Sequence, residues 1–138
     1  MCTDAEPGSP RVVSRAIRVG ALLVALALMA IIWWFSSRPG AGPSPHTELL
    51  RFLERKAAHV MLFGALWVAW WAAFGRRLGA VAAALTVIYG AIDEFHQHHV
   101  PGRTGTIRDV TIDALGVALA IILTRAATTP RATAEGLH

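Results

Sequence analysis

The chain has 138 residues, of which 54% are hydrophobic and only 16% charged, with a formal charge of +4 and a single cysteine. A soluble domain carries about 25% charged residues, so the deficit points to a membrane protein rather than an aqueous globule. Cys2 alone supports neither a disulfide nor a cysteine-based zinc site, and arginines scattered among apolar runs do not form a nucleic-acid surface.

Four apolar runs follow in order. The first, Val19 to Phe35, spans ~26 Å as a helix. Its flank of Arg11, Arg15 and Arg18 suits a signal peptide, but the run is too long for a signal core. Trp33, Trp34 and Phe35 also stand where a cleavage site needs small residues. It reads as an uncleaved anchor with an aromatic belt at its end. The stretch from Ser36 to Thr47 is rich in Pro, Gly and Ser and is expected to be extended and exposed. From Glu48 to Lys56, charges alternate with Leu49, Leu50, Phe52 and Leu53. This predicts a short amphipathic helix on the membrane surface, continuous with the second run, Ala57 to Phe74.

Gly75-Arg76-Arg77 is a tight connection, so the second and third runs form an antiparallel hairpin. The third run, Leu78 to Ile92, and the fourth, Val110 to Leu123, are short for a hydrocarbon core of ~30 Å. They span only if their polar flanks continue the helices, through Gln97 in one case and from Ile107 to Ala127 in the other. The resulting expectation is an all-α, polytopic membrane protein: a four-transmembrane-helix bundle with short loops. Residues 1–18 are read as a cytoplasmic tail, 19–127 as the membrane domain and 128–138 as a disordered tail. Counting Lys and Arg gives seven on the side of the termini and six on the other. The flank of the first helix and the Arg76-Arg77 turn favour both termini in the cytoplasm of a plasma-membrane protein.

The extended helices carry charge into the span ends, which marks a functional site. Lys56, His59 and Phe63 share one face of the second helix. Lys56 is the only lysine in the chain, and a compact ammonium serves where a guanidinium would not; the plainer reading is a snorkelling cation. On the third helix, Tyr89, Asp93 and Gln97 align, with Glu94 and His98 beside them. Acids near a helix C-terminus oppose the macrodipole, so Asp93 and Glu94 call for compensation by Lys56, His59 or Arg103. On the fourth, Asp109 and Asp113 share a face with Gly116 and Ala120, and such small residues let membrane helices approach closely. Thr106 to Asp109 also fits a capping box, which would explain Asp109 without function. Asp113, one turn deeper, must be protonated, paired or solvated. His59, His96, His98, His99, Glu94 and Asp109 include metal-ligand types, but His96, His98 and His99 form no His-x-x-x-His pair on one face and HExxH is absent, so no metal is expected, nor any other cofactor.

Taken together, Lys56-x-x-His59-x-x-x-Phe63, Asp93-Glu94-x-x-Gln97, Pro101-Gly102-Arg103-Thr104, Asp109 and Gly116, with Ser36-Ser37-x-Pro39-Gly40 after the first span, resemble the VanZ-like family of small bacterial membrane proteins. One departure is Asp113, where the family more often has Asn. The resemblance implies a place in the bacterial cell envelope. The family's namesake is associated with low-level resistance to teicoplanin, a glycopeptide antibiotic, without altering the peptidoglycan peptide terminus.

Two functions fit the residues, with a pure scaffold as the plain third option. In the first, a non-catalytic protein in contact with membrane lipid binds an anionic lipid or cell-wall precursor at its outer face. The site would comprise Lys56, His59, Asp93, Glu94, Gln97, Arg103, Asp109 and Asp113. Lys56, Arg103 and Arg108 contact phosphate or carboxylate there, and Asp93, Glu94 and Asp109 orient the cations. In the alternative, a membrane enzyme acts on a lipid-linked substrate, with Glu94 or Asp93 as general base and His59 as acid or orienting partner. The oligomeric state is left open.

Overall fold

The computed structural model describes residues 15–40, 48–103 and 105–129, with residues 48, 49, 51 and 52 described by backbone alone. Cys2, Thr104, residues 41–47 and most of both tails lie outside the described residues. Four helices follow one another: α1, Arg15–Ser36; α2, Glu48–Phe74; α3, Gly79–His98; and α4, Ile107–Thr128. Among the described residues the fold is all-α.

Four helical stretches of 22 or 23 residues are apolar enough to cross a bilayer: Arg15–Ser36, Leu53–Phe74, Arg76–His98 (α3 with the 3-10 turn before it) and Ile107–Thr128. At 1.5 Å per residue these reach ~33 Å, enough for the hydrocarbon core. The chain is a multi-pass membrane protein. Its surface fits that solvent, since Leu23, Trp34, Ile88, Leu115 and Ile122 are all exposed. The third and fourth spans reach full length because the polar flanks do continue the helices, to His98 and from Ile107.

The turn after α2 begins at Gly75, whose positive φ of 91° reverses the chain. A single 3-10 turn, Arg76–Leu78, then leads into α3. The charged stretch before the second run forms the first turns of one continuous helix, α2, of 27 residues. The long connection after α1 is less open at its start than expected. Ser36 is buried, and the Gly40 N–H donates to the Pro101 carbonyl at 3.0 Å, so this segment packs on the α3–α4 loop.

Helix α2 is the hub. It packs most extensively on α1 and α4 and also on α3, whereas α1 and α4 make no contact with each other among the described residues. The bundle is therefore a diamond with α2 and α3 on its short diagonal. Two glycines bring α2 and α4 together. A Cβ added at Gly116 would overlap the Val60 carbonyl, and one at Gly64 would lie 3.1 Å from the Gly116 carbonyl. The stripe of Asp113, Gly116 and Ala120 thus faces α2. The apolar core beneath is small: Phe63, Leu66, Trp67, Ala82, Val117, Ala25 and Ile32. Phe63 lies 6.3 Å from the Tyr89 ring, and Tyr89 donates a hydrogen bond to the Met29 carbonyl at 2.7 Å, tying α3 to α1.

Gly116→Val should force α2 and α4 apart. Overpacking costs about 1–3 kcal/mol, and detergent-solubilised protein should melt at a visibly lower temperature. An unchanged melting temperature would show that the two backbones are not in contact there.

Candidate functional site

The antiparallel order brings the end of α1, the first turns of α2, the end of α3 and the start of α4 to one end of the bundle. There the burial pattern inverts. Asp93, Glu94, Gln97, Asp109, Asp113 and Ser36 are all buried, with Asp93 0% exposed. Charged groups withdrawn from water need partners, so the question is which groups answer which.

Helices α2 and α4 meet through an ion pair and a histidine–carboxylate contact, beside their glycine contact. The Lys56 ammonium pairs with Asp109 Oδ1. One turn deeper, His59 Nδ1 lies 3.2 Å from Asp113 Oδ1. In their direct contacts these pairings differ from the expectation that Lys56, His59 or Arg103 would compensate Asp93 and Glu94, although His59 still stands within 4.8 Å of Glu94. The reason is packing: the small residues of α4 bring that helix close to α2, so the basic groups of α2 meet the acids of α4 first. Asp109 also accepts a hydrogen bond from the Thr106 hydroxyl at 2.9 Å, and Thr106 makes no side-chain bond to the helix backbone. The capping-box reading of Asp109 is thus replaced by a carboxylate shared between Lys56 and Thr106. Its place in the first turn of α4 is favoured by the macrodipole as well.

The acids of α3 are held by neutral donors. Asp93 Oδ2 accepts from the Ser36 hydroxyl at 2.7 Å and from the Gln97 amide at 2.8 Å. Gln97 also lies 3.2 Å from Glu94 Oε1. Three carboxylate oxygens remain buried without a hydrogen-bond partner: Asp93 Oδ1, Glu94 Oε2 and Asp113 Oδ2. Tyr89, on the same stripe as Asp93 and Gln97, turns instead to the backbone of α1. His98 is exposed.

Arg103 lies in the α3–α4 loop and closes the site against α1. It donates to the Phe35 carbonyl at 2.6 Å, to the Arg38 carbonyl at 3.0 Å and toward the Gln97 amide oxygen at 3.5 Å. Its hydrogen-bond partners are carbonyls and an amide rather than the expected carboxylates, with the Asp93 and Glu94 charges acting on it from further off. The last turn of a helix leaves carbonyls without intrahelical donors, and its dipole attracts a cation, so the end of α1 is a natural seat for a guanidinium. Burial, and then the neighbouring Arg55, push the Arg103 pKa down from its ordinary value, yet a guanidinium stays charged. Arg108, the other arginine of this region, is exposed.

The contribution of α1 was only partly legible. Ser36 stood in a recognisable motif but not among the expected site residues, and no side chain announces that two backbone carbonyls form an arginine seat. Around it, Trp33 stacks on the His96 ring at 4.0 Å and the His96 Nε2 lies 3.0 Å from the Ser37 hydroxyl. The Arg38 guanidinium sits 5.1 Å from the Trp34 ring. These are interfacial anchors of the kind found at a membrane boundary.

Between α1 and α2 a cavity of about 170 Å³ opens beside the network. Ile32, Phe35, Ala58, Leu62 and Phe63 form its walls, and Arg55, His59 and Arg103 supply its polar groups. No carboxylate lines it. Arg55 was not among the expected site residues, since it reads in sequence as one of several charges at the start of α2.

The planar fork of Arg103 is what reaches two carbonyls and an amide at once. Arg103→Lys should therefore weaken the loop–α1 contact by about 1.5–3 kcal/mol. The expected readout is faster proteolysis between α3 and α4 and a lower melting temperature; a variant as stable as the parent would show that the seat is not used.

Searches of curated proteins and of solved structures returned no significant match. A family model described as VanZ/LLP1 matches residues 21–128. That range takes in all four spans except the first turns of α1, together with every residue of the polar network. The chain belongs to the VanZ/LLP1 family.

Proposed function

We propose that this protein sits in the bacterial plasma membrane with both termini in the cytoplasm. On this reading its polar end, at the outer face, binds the anionic head group of a lipid or cell-wall precursor. The observation that carries the reading is the α1–α2 cavity. Its walls are apolar and its polar groups are two guanidiniums and an imidazole, which is the combination an amphiphile with a phosphate or carboxylate head requires. Arg55 and Arg103 attract the anion, and His59 offers a hydrogen bond from the floor. Lys56, Asp93, Glu94, Gln97, Asp109 and Asp113 act behind them, fixing the helices that carry the cations.

A second reading, an enzyme acting on a lipid-linked substrate, is favoured by one observation. His59 both lines the cavity and contacts the buried Asp113, which is how a base is oriented. Under that reading Asp93 or Glu94 completes the acid–base chemistry, and incubation with lipid extract gives a product that Glu94→Gln fails to make. Any link to teicoplanin resistance rests on the family and is read directly from the susceptibility of cells expressing the chain.

Two measurements test the preferred reading. Mass spectrometry of gently extracted protein should show anionic lipid enriched over the bulk membrane. Ala58→Phe, which fills the cavity without touching the ion pairs, should lose that enrichment, as should Arg55→Gln. Equal lipid content in the parent and Ala58→Phe would sink it. Orientation is read with a membrane-impermeant thiol reagent on intact cells. It should label a His98→Cys variant and spare the parent, whose only thiol is Cys2; the opposite pattern would place the polar end in the cytoplasm.

A further inference from the structure

Three residues of the polar network meet in a way the ion pairs do not explain. His59 of α2, Glu94 of α3 and Asp113 of α4 each present a ligand atom, and these atoms all lie within 4.8 Å of one another. They come from three helices, so no local sequence spacing signals them. Glu94 and Asp113 are 3% and 2% exposed, and Glu94 Oε2 and Asp113 Oδ2 have no hydrogen-bond partner. Gly90, one turn before Glu94, sets only bare backbone near Asp113 Oδ2; a Cβ there would stand 3.6 Å from that oxygen. A buried carboxylate oxygen facing no donor is expensive, and two in one place point to a missing positive charge.

At hydrogen-bond range the acids of α3 have no cationic partner. Lys56 pairs with Asp109, and His59 with Asp113. Glu94 and Asp93 meet only the neutral donors Gln97 and Ser36 within hydrogen-bond reach. Arg103 spends its donors on carbonyls and the Gln97 oxygen.

We infer that His59, Glu94 and Asp113 bind a divalent transition-metal cation of the Zn²⁺ or Mn²⁺ class. One imidazole nitrogen with two carboxylates suits these ions better than Ca²⁺ or Mg²⁺, which prefer oxygen alone. Ligand atoms about 2.0–2.2 Å from a tetrahedral ion stand roughly 3.4 Å apart. The His59–Asp113 separation of 3.2 Å already meets that spacing, and Glu94 presents an oxygen within 4.8 Å of both. Three protein ligands leave one position open. The inference goes beyond the lipid reading and shares only His59 with it, since His59 also lines the cavity; ion binding is measured without lipid, so failure of one is distinguishable from failure of the other.

The test uses the full chain in detergent, stripped with a chelator and then given Zn²⁺ or Mn²⁺ alone. Elemental analysis after gel filtration should find one ion per chain, and saturating ion should raise the melting temperature. Glu94→Gln and Asp113→Asn keep size and remove charge; each should lose the retained ion and the metal-dependent shift. A His98→Gln, His99→Gln double variant, altered at exposed imidazoles, should keep both. The inference is overturned if the stripped parent neither retains nor is stabilised by either ion. It is equally overturned if Glu94→Gln binds as the parent does while the double variant does not, which would move the ion to the exposed histidines. Retention by the parent alone among these carboxylate variants supports it.

Discussion

A carboxylate carried into the end of a membrane helix has to be answered by another helix, and this requirement organises the whole polar end of the molecule. Hydrocarbon offers no water to solvate these acids, so Asp93, Asp109 and Asp113 take partners from neighbouring helices, while Glu94 meets Gln97 of its own helix. The Lys56–Asp109 and His59–Asp113 contacts are possible only because α2 and α4 lie close together. That closeness comes from Gly64 and Gly116 deeper in the same interface. Small residues in the apolar part and paired charges in the polar part are thus two halves of one contact. The single lysine is placed where a compact ammonium can sit against a carboxylate at the helix start.

The same logic extends to α1, which touches neither the acids of α4 nor α4 itself. It is bound to the network by Ser36 on Asp93, by Tyr89 on the Met29 carbonyl, and by the Arg103 guanidinium at its last carbonyls. These links leave the α1–α2 seam open enough to hold a cavity next to the charges. On the proposed reading, the Arg103 guanidinium, tied to backbone carbonyls rather than hydrogen-bonded to a carboxylate, faces an anion from that cavity. Membership of the VanZ/LLP1 family is consistent with a small bundle of this kind, since the match spans the network and the seam together.

Much of this was written plainly in the chain. The four spans follow from apolar runs, and the length requirement alone demanded that the third and fourth helices swallow their polar flanks, which they do. The faces were legible too: Asp113, Gly116 and Ala120 do share a side, and Lys56, His59 and Phe63 share another. Periodicity tells which residues share a face but not which face meets which, so the pairings were harder. Asp93 and Glu94 were expected to take the cations, and the close α2–α4 approach gave those to Asp109 and Asp113 instead. Arg103 was expected among acids and found among carbonyls, because backbone acceptors carry no signature in sequence. His59, Glu94 and Asp113 were expected in one site, but that their ligand atoms come within 4.8 Å of one another is a property of three helices at once and not of any local spacing.

The central claim is that ion pairing across α2 and α4 holds the polar end together. A double-mutant cycle on Lys56 and Asp109, read by melting temperature in detergent, tests it most directly. Lys56→Met alone should leave a stranded carboxylate and destabilise by about 1.5–3 kcal/mol, and Asp109→Asn alone should destabilise as well. The combined variant should then recover much of the loss. If the two effects simply add, the residues do not depend on each other and the account of this site is wrong.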